Sequence, residues 1–186
     1  MDPLTQAERA MRGDPEAVRA LWETHRRWVA AIVLAHMPRD AELEDLLQEV
    51  AVRVVKQVHR VRDPSLVRPW LRSVAINVAR TAGRRRKVRM RIVRSGGAAE
   101  HEGAHDAPAP LATVEEGRRA LAAAHRLRPE YREPLILQCV RGMSYRQIAD
   151  TLGVPVTTVE TRLARARRML REELEREGIS PEGLGA

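Results

Sequence analysis

Residues Gly142–Leu170 read GMSYRQIADTLGVPVTTVETRLARARRML, and this stretch decides the fold. Ser144 followed three residues later by Gln147 forms the S-x-x-Q capping box, in which the two side chains satisfy backbone N–H groups at a helix start. Ile148, Ala149 and Leu152 give that helix its apolar side. Gly153 can take the left-handed conformation that ends a helix. Pro155 stands where a new helix can begin, because its missing N–H would have no partner there. Val156, Val159, Leu163, Ala166 and Leu170 then recur at helical spacing and predict a buried stripe. The other faces carry Thr157, Thr158, Glu160, Thr161, Arg162, Arg165, Arg167 and Arg168. One helix packs and the next offers polar side chains to a groove, which is the arrangement of a helix-turn-helix. The plainer alternative is a helical hairpin with a solvated basic face. Cap, stop, turn length and charge asymmetry together favour the first.

Working outward, Pro129 opens a helix that runs to Arg141, and another covers 114–127. Before these, Ser95–Thr113 (SGGAAEHEGAHDAPAPLAT) has no basic residue and is rich in Gly, Ala and Pro. Such a segment buries too little surface to order itself and reads as a flexible linker over 95–113. Towards the N-terminus, a short helix is expected over Thr5–Arg12, with Gly13 breaking it. Asp14 caps the next helix, with Pro15 at its first position. Its buried face is read as Val18, Leu21, Trp22, His25, Val29, Ile32 and Val33, with His25 a core histidine rather than a ligand. Pro38 ends it. Asp40 is expected to cap a third helix with the stripe Leu43, Leu46, Leu47, Val50, Val54 and Val58. After the turn Asp63-Pro64-Ser65, a fourth helix carries Trp70, Leu71, Val74, Ala75, Val78 and Ala79, with Pro69 in its first turn. The expectation is all-α: two small helical domains at 1–94 and 114–177, the linker between them, and a tail at 178–186.

Composition narrows the function classes. The net charge of +8 and isoelectric point near 10.9 favour a polyanionic partner. Arg84–Arg94 (RRRKVRMRIVR) holds seven basic residues in eleven positions. Phe is absent, so Leu, Val, Ile and Ala must build the core. Cys139 is the only cysteine, which excludes an intramolecular disulfide, and its apolar setting suggests a small core residue. No apolar run is long enough to span a bilayer, and MDPLTQAERAMRGD lacks the hydrophobic segment of a secretory signal. The expected location is the cytoplasm, without membrane insertion. His101-Glu102-Gly103-Ala104-His105 matches the H-E-x-x-H zinc signature, but that chemistry needs a helix to align both histidines. Glycines and Pro108 surround it, so no metal, cofactor or catalytic group is expected.

With both halves read, the chain resembles an extracytoplasmic-function sigma factor of the sigma-70 family, a bacterial promoter-specificity subunit of RNA polymerase. Three motifs carry the resemblance, in the family's order and spacing: DAELEDLLQEVAVRVV (Asp40–Val55), RPWLRSVAINVARTAGRRRK (Arg68–Lys87) and LRPEYREPLILQCVRGMSYRQIADTLGVPVTTVETRLARARRMLREEL (Leu127–Leu174). The first is similar to the region-two helix that docks on the polymerase clamp, which implies contacts from Asp45, Leu46, Gln48, Glu49 and Val52. The second is similar to the helix that melts and reads the downstream promoter element. Asn77 occupies the base-reading position, and Arg80, Arg84, Arg85, Arg86 and Lys87 would hold phosphates. Trp70 matches the family's tryptophan and is read as core. The third is similar to region four, implying upstream-element contacts from Thr157, Thr158, Glu160, Thr161, Arg162 and Arg165. The resemblance implies core RNA polymerase, promoter DNA and an anti-sigma protein as partners.

Two departures stand out. Glu160-Thr161 lies where relatives commonly have a basic residue and then serine; a glutamate cannot bind phosphate. It could accept from cytosine N4 or pair with a neighbouring arginine. Aromatics are also sparse between Leu43 and Arg80, which predicts melting that depends more on charge and on the polymerase. Efficient melting at high salt in permanganate footprinting would argue against that. The alternative function is an autonomous helix-turn-helix regulator, which explains Leu127–Leu174, leaves the region-two motifs idle, and predicts a dimer on a palindromic site.

Overall fold

The computed structural model describes residues 3–94 and 111–178, with side chains described within 6–86 and 117–178. Among these residues all regular structure is helical. The chain divides into two units between residues 99 and 100. The linker segment 95–110, with its H-E-x-x-H motif, and residues 179–186 lie outside the described residues.

In the first unit, α1 (Pro3–Met11) leads through Gly13 into α2 (Pro15–His36). Asp14 caps α2 as expected, accepting from the backbone N–H of Glu16 at 3.0 Å and of Ala17 at 3.2 Å. Its second oxygen accepts from Arg9 at 2.6 Å, which ties α1 to the start of α2. Helix α2 packs against α1, α3 (Leu43–Gln57) and α4 (Val67–Arg94). Short 3₁₀ turns at Val58–Arg60 and Pro64–Leu66 join α3 to α4, with Asp63 accepting from the Ser65 N–H at 2.8 Å. Val29, Ile32, Val33, Val50, Val54, Val58, Leu71 and Val78 are fully buried. Each such side chain contributes roughly 1.5–3 kcal/mol relative to exposure, so this small aliphatic core suffices without phenylalanine.

The second unit holds α5 (Leu111–Ala124), α6 (Pro129–Arg141), α7 (Tyr145–Leu152) and α8 (Val156–Arg176). Helix α5 thus starts at Leu111, three residues before the expected boundary. The capping box is formed: the Gln147 N–H donates to Ser144 Oγ at 3.3 Å, and the Ser144 N–H donates to Gln147 Oε1 at 2.9 Å. Gly153 has φ +66° and ends α7, with the Val154 N–H returning to the Ala149 carbonyl at 3.1 Å. Val159, Leu163, Ala166, Leu170 and Leu174 form the buried stripe of α8.

Several local expectations need correction. Asp40 does not cap α3: the turn closed by the Ala41 N–H on the Pro38 carbonyl delays the helix to Leu43, with Glu42 at the cap position making no side-chain cap bond. Asp40 pairs with Arg86 instead. On α2, Trp28 rather than Trp22 is buried, with Arg68 lying over its ring at 4.9 Å. Trp70 is half-buried rather than core. Pro155 precedes α8 as its cap, so Val156 takes the first helical position and is 38% exposed. Cys139 is exposed too, in the last turn of α6 beside the exposed Val140.

Candidate nucleic-acid interface

Helix α8 presents a polar face opposite its buried stripe. Thr157, Glu160, Thr161 and Arg165 are exposed, while Thr158 and Arg162 are half-buried. Thr161 Oγ1 donates to the Thr157 carbonyl at 2.9 Å, which leaves its oxygen lone pairs turned outward as acceptors. A shallow groove of about 390 Å³ is lined by Thr157, Thr158, Thr161, Arg162 and Arg165 together with Glu130 and Tyr131. Five of the six residues singled out on this helix therefore share one groove, and Glu160 is not among its lining. Sequence reasoning missed Glu130 and Tyr131. Pro129 announced the start of α6, but no spacing along the chain says that this first turn lies beside α8.

A further residue, Arg167, holds α8 in place. Arg167 donates to Gln138 Oε1 on α6 at 2.9 Å and to the Tyr145 hydroxyl on α7 at 3.3 Å. The guanidinium hydrogen bond lowers the pKa of the Tyr145 phenol. An arginine read as part of the basic face is thus a strut among three helices. Its signal in the sequence is slight: it sits beside Ala166 in the buried stripe rather than opposite it.

On α4, Asn77 is exposed and its side chain makes no hydrogen bond among the described residues. Its carbonyl accepts from Thr81 Oγ1 at 2.7 Å. Arg80 and Arg84, three and seven residues on, are exposed along the same side of the helix. Arg85 and Arg86 are also exposed but face acids: Arg85 lies 3.9 Å from Glu49, and Arg86 pairs with Asp40. Lys87 continues α4, and its side chain lies outside the described residues.

On α3, Asp45, Gln48 and Val52 are exposed, and Glu49 accepts from Arg53 at 2.7 Å. Leu46, at 6% exposure, is packed in the core, unlike the other four. Val55, not singled out from the sequence, is 65% exposed. An apolar residue off the buried stripe was the available signal.

Among the described residues no group of His, Cys, Asp and Glu could hold a metal ion, and no helix is long and apolar enough to cross a membrane. Residues 21–89 match the family Sigma-70 region 2, and residues 118–170 match Sigma-70, region 4. The chain is 27% identical over 176 residues to the ECF RNA polymerase sigma-E factor of Haemophilus influenzae, covering 90% of this chain and 93% of the relative. The chain belongs to the sigma-70 family, in its extracytoplasmic-function group. The fold of this sigma factor is similar to that of CnrH, solved in complex with the cytosolic domain of CnrY, with a TM-score of 0.63 at 24% identity over 94% of this chain and 98% of that one. It is also similar to the sigma factor RpoE solved with the anti-sigma factor NepR from Bartonella quintana, with a TM-score of 0.57 at 23% identity over 84% and 96% of the two chains. Helices α2 to α4 thus fall in region two of the sigma factor, and α6 to α8 in region four.

Proposed function

We propose that this sigma factor binds core RNA polymerase through the exposed face of α3 and directs promoter-specific initiation by holding DNA on α4 and α8. Region two corresponds to residues 1–94 in this reading and region four to 111–177, with 95–110 as the connecting linker. The observation that carries the reading is the pairing of two separate exposed surfaces. One is the Asn77–Arg80–Arg84 side of α4; the other is the threonine- and arginine-lined groove of α8.

Each surface has chemistry suited to a different state of DNA. Taking a base out of the stack costs a few kcal/mol. The Asn77 amide can return part of that as donor and acceptor together on a base edge, while Arg80 and Arg84 hold the flanking phosphates. On α8, Arg162 and Arg165 supply cationic forks, and the threonine hydroxyls supply small donors and acceptors to duplex. The protein is a binding factor, with catalysis residing in the polymerase, and it works in the cytoplasm. An anti-sigma protein is a further expected partner, supported by the complex in which RpoE was solved with the anti-sigma factor NepR.

The test is in vitro transcription with sigma-free core polymerase on a library of upstream DNA. Discrete start sites that require this protein are expected. Sequence-specific binding by the protein alone, with no added transcripts, would instead favour an autonomous helix-turn-helix regulator.

A further inference from the structure

Glu160 is the acidic member of a face otherwise built for a polyanion. It lies in the second turn of α8, exposed, beyond the groove that its neighbours line. The residues three and four positions away, where a helix forms ion pairs, are Val156, Thr157, Leu163 and Ala164, and none is cationic. Arg167, two turns on, is engaged by Gln138 and Tyr145. Among the described residues the Glu160 side chain makes no hydrogen bond or ion pair. Its charge is felt by the Tyr145 phenol of α7, but no cation among the described residues pairs with the carboxylate. Next to phosphate it is repelled, so duplex binding by α8 tolerates it only where the DNA offers a donor.

The major groove offers few. Guanine shows N7 and O6, and thymine O4, all acceptors that repel a carboxylate; adenine sets its N6 amine beside the N7 acceptor; cytosine presents the N4 amine without such a neighbour on its own edge. The N-terminal part of a recognition helix is also the part that reaches base edges, and Ala164, one turn on, adds no bulk beside Glu160. We infer that Glu160 is a specificity-determining residue that accepts a hydrogen bond from cytosine N4 in the upstream promoter element. This inference rests on the reading of α8 as the upstream-element helix.

The experiment is transcription by the holoenzyme on templates in which each base pair of the upstream element is varied in turn, with wild type, Glu160→Ala and Glu160→Gln. Wild type should prefer cytosine at one position by about fivefold or more. Glu160→Ala should flatten that position and leave the others unchanged. Glu160→Gln should move the preference towards adenine, whose N6 and N7 suit an amide. Transcription in which Glu160→Ala leaves every base preference intact, or strengthens all templates equally, overturns the assignment alone. Absence of transcripts from every template overturns the functional reading and the assignment with it.

Discussion

Asn77 is an exposed amide on a helix whose opposite side, Val74, Ala75 and Val78, is packed into the core. Its removal should cost little stability and much function. Asn77→Ala is expected to leave thermal unfolding unchanged while losing roughly tenfold in open-complex formation and relaxing one downstream base preference, a loss of about 1–3 kcal/mol in base discrimination; permanganate reactivity reads the first effect and template variants the second. His25 makes a different prediction. Burial holds its pKa below the ordinary value, outweighing the hydrogen bond between its Nδ1 and the Leu21 carbonyl, and the charge of Arg68 lowers it further. The folded state therefore binds this proton less readily than the unfolded chain. Its contribution to stability is complete above about pH 6.5, the free imidazole value, and is lost as pH falls through the depressed pKa. Denaturant unfolding from pH 7.5 to 5 should show region two weakening over that window, and His25→Gln should flatten the change. Individual burial was the least legible level of the sequence. Cys139 and Val156 are apolar and in register, yet both stand at helix ends, where the pattern cannot say which turn runs past its neighbours.

At the scale of elements, sequence signals with a local physical cause located the helix ends well. Asp14, Ser144, Gln147 and Gly153 act through backbone groups within a few residues, so their roles could be read without tertiary information. Asp40 failed because its carboxylate had a competing distant partner, Arg86. The α8 groove was half legible: the helical period gave its threonines and arginines, but Glu130 and Tyr131 arrive from another helix. Ser144→Ala should remove one half of the capping box and cost about 1 kcal/mol. In a domain of this size that lowers the region-four melting temperature by roughly 4–8 °C, measured by circular dichroism, with region two unaffected.

For the whole molecule, the two units have separate cores, centred on Ile32 and on Leu163. Ile32→Ala should destabilise one calorimetric transition by about 2–5 kcal/mol and leave the other in place, while Leu163→Ala should do the reverse. A single transition shifted by both substitutions would show that the cores do not melt apart. The two-unit organisation was legible because the composition changes sharply after Arg94; the pairing of α3 with the basic end of α4 was not, since it depends on the path of the chain through two short turns. That pairing has a thermodynamic consequence. Glu49 serves Arg53 and Arg85 together. In the proposed docking, a polymerase cation that takes Glu49 sets Arg85 free for phosphate, and a phosphate that takes Arg85 sets Glu49 free for polymerase. Two ligands that draw on opposite ends of one ion pair assist each other, and the assistance is equal in both directions. An exposed pair limits it to about 1 kcal/mol, roughly fivefold. Core affinity measured with and without forked promoter DNA should show this factor in wild type and lose it in Glu49→Gln, so that a modest surface contact makes polymerase and promoter mutual effectors.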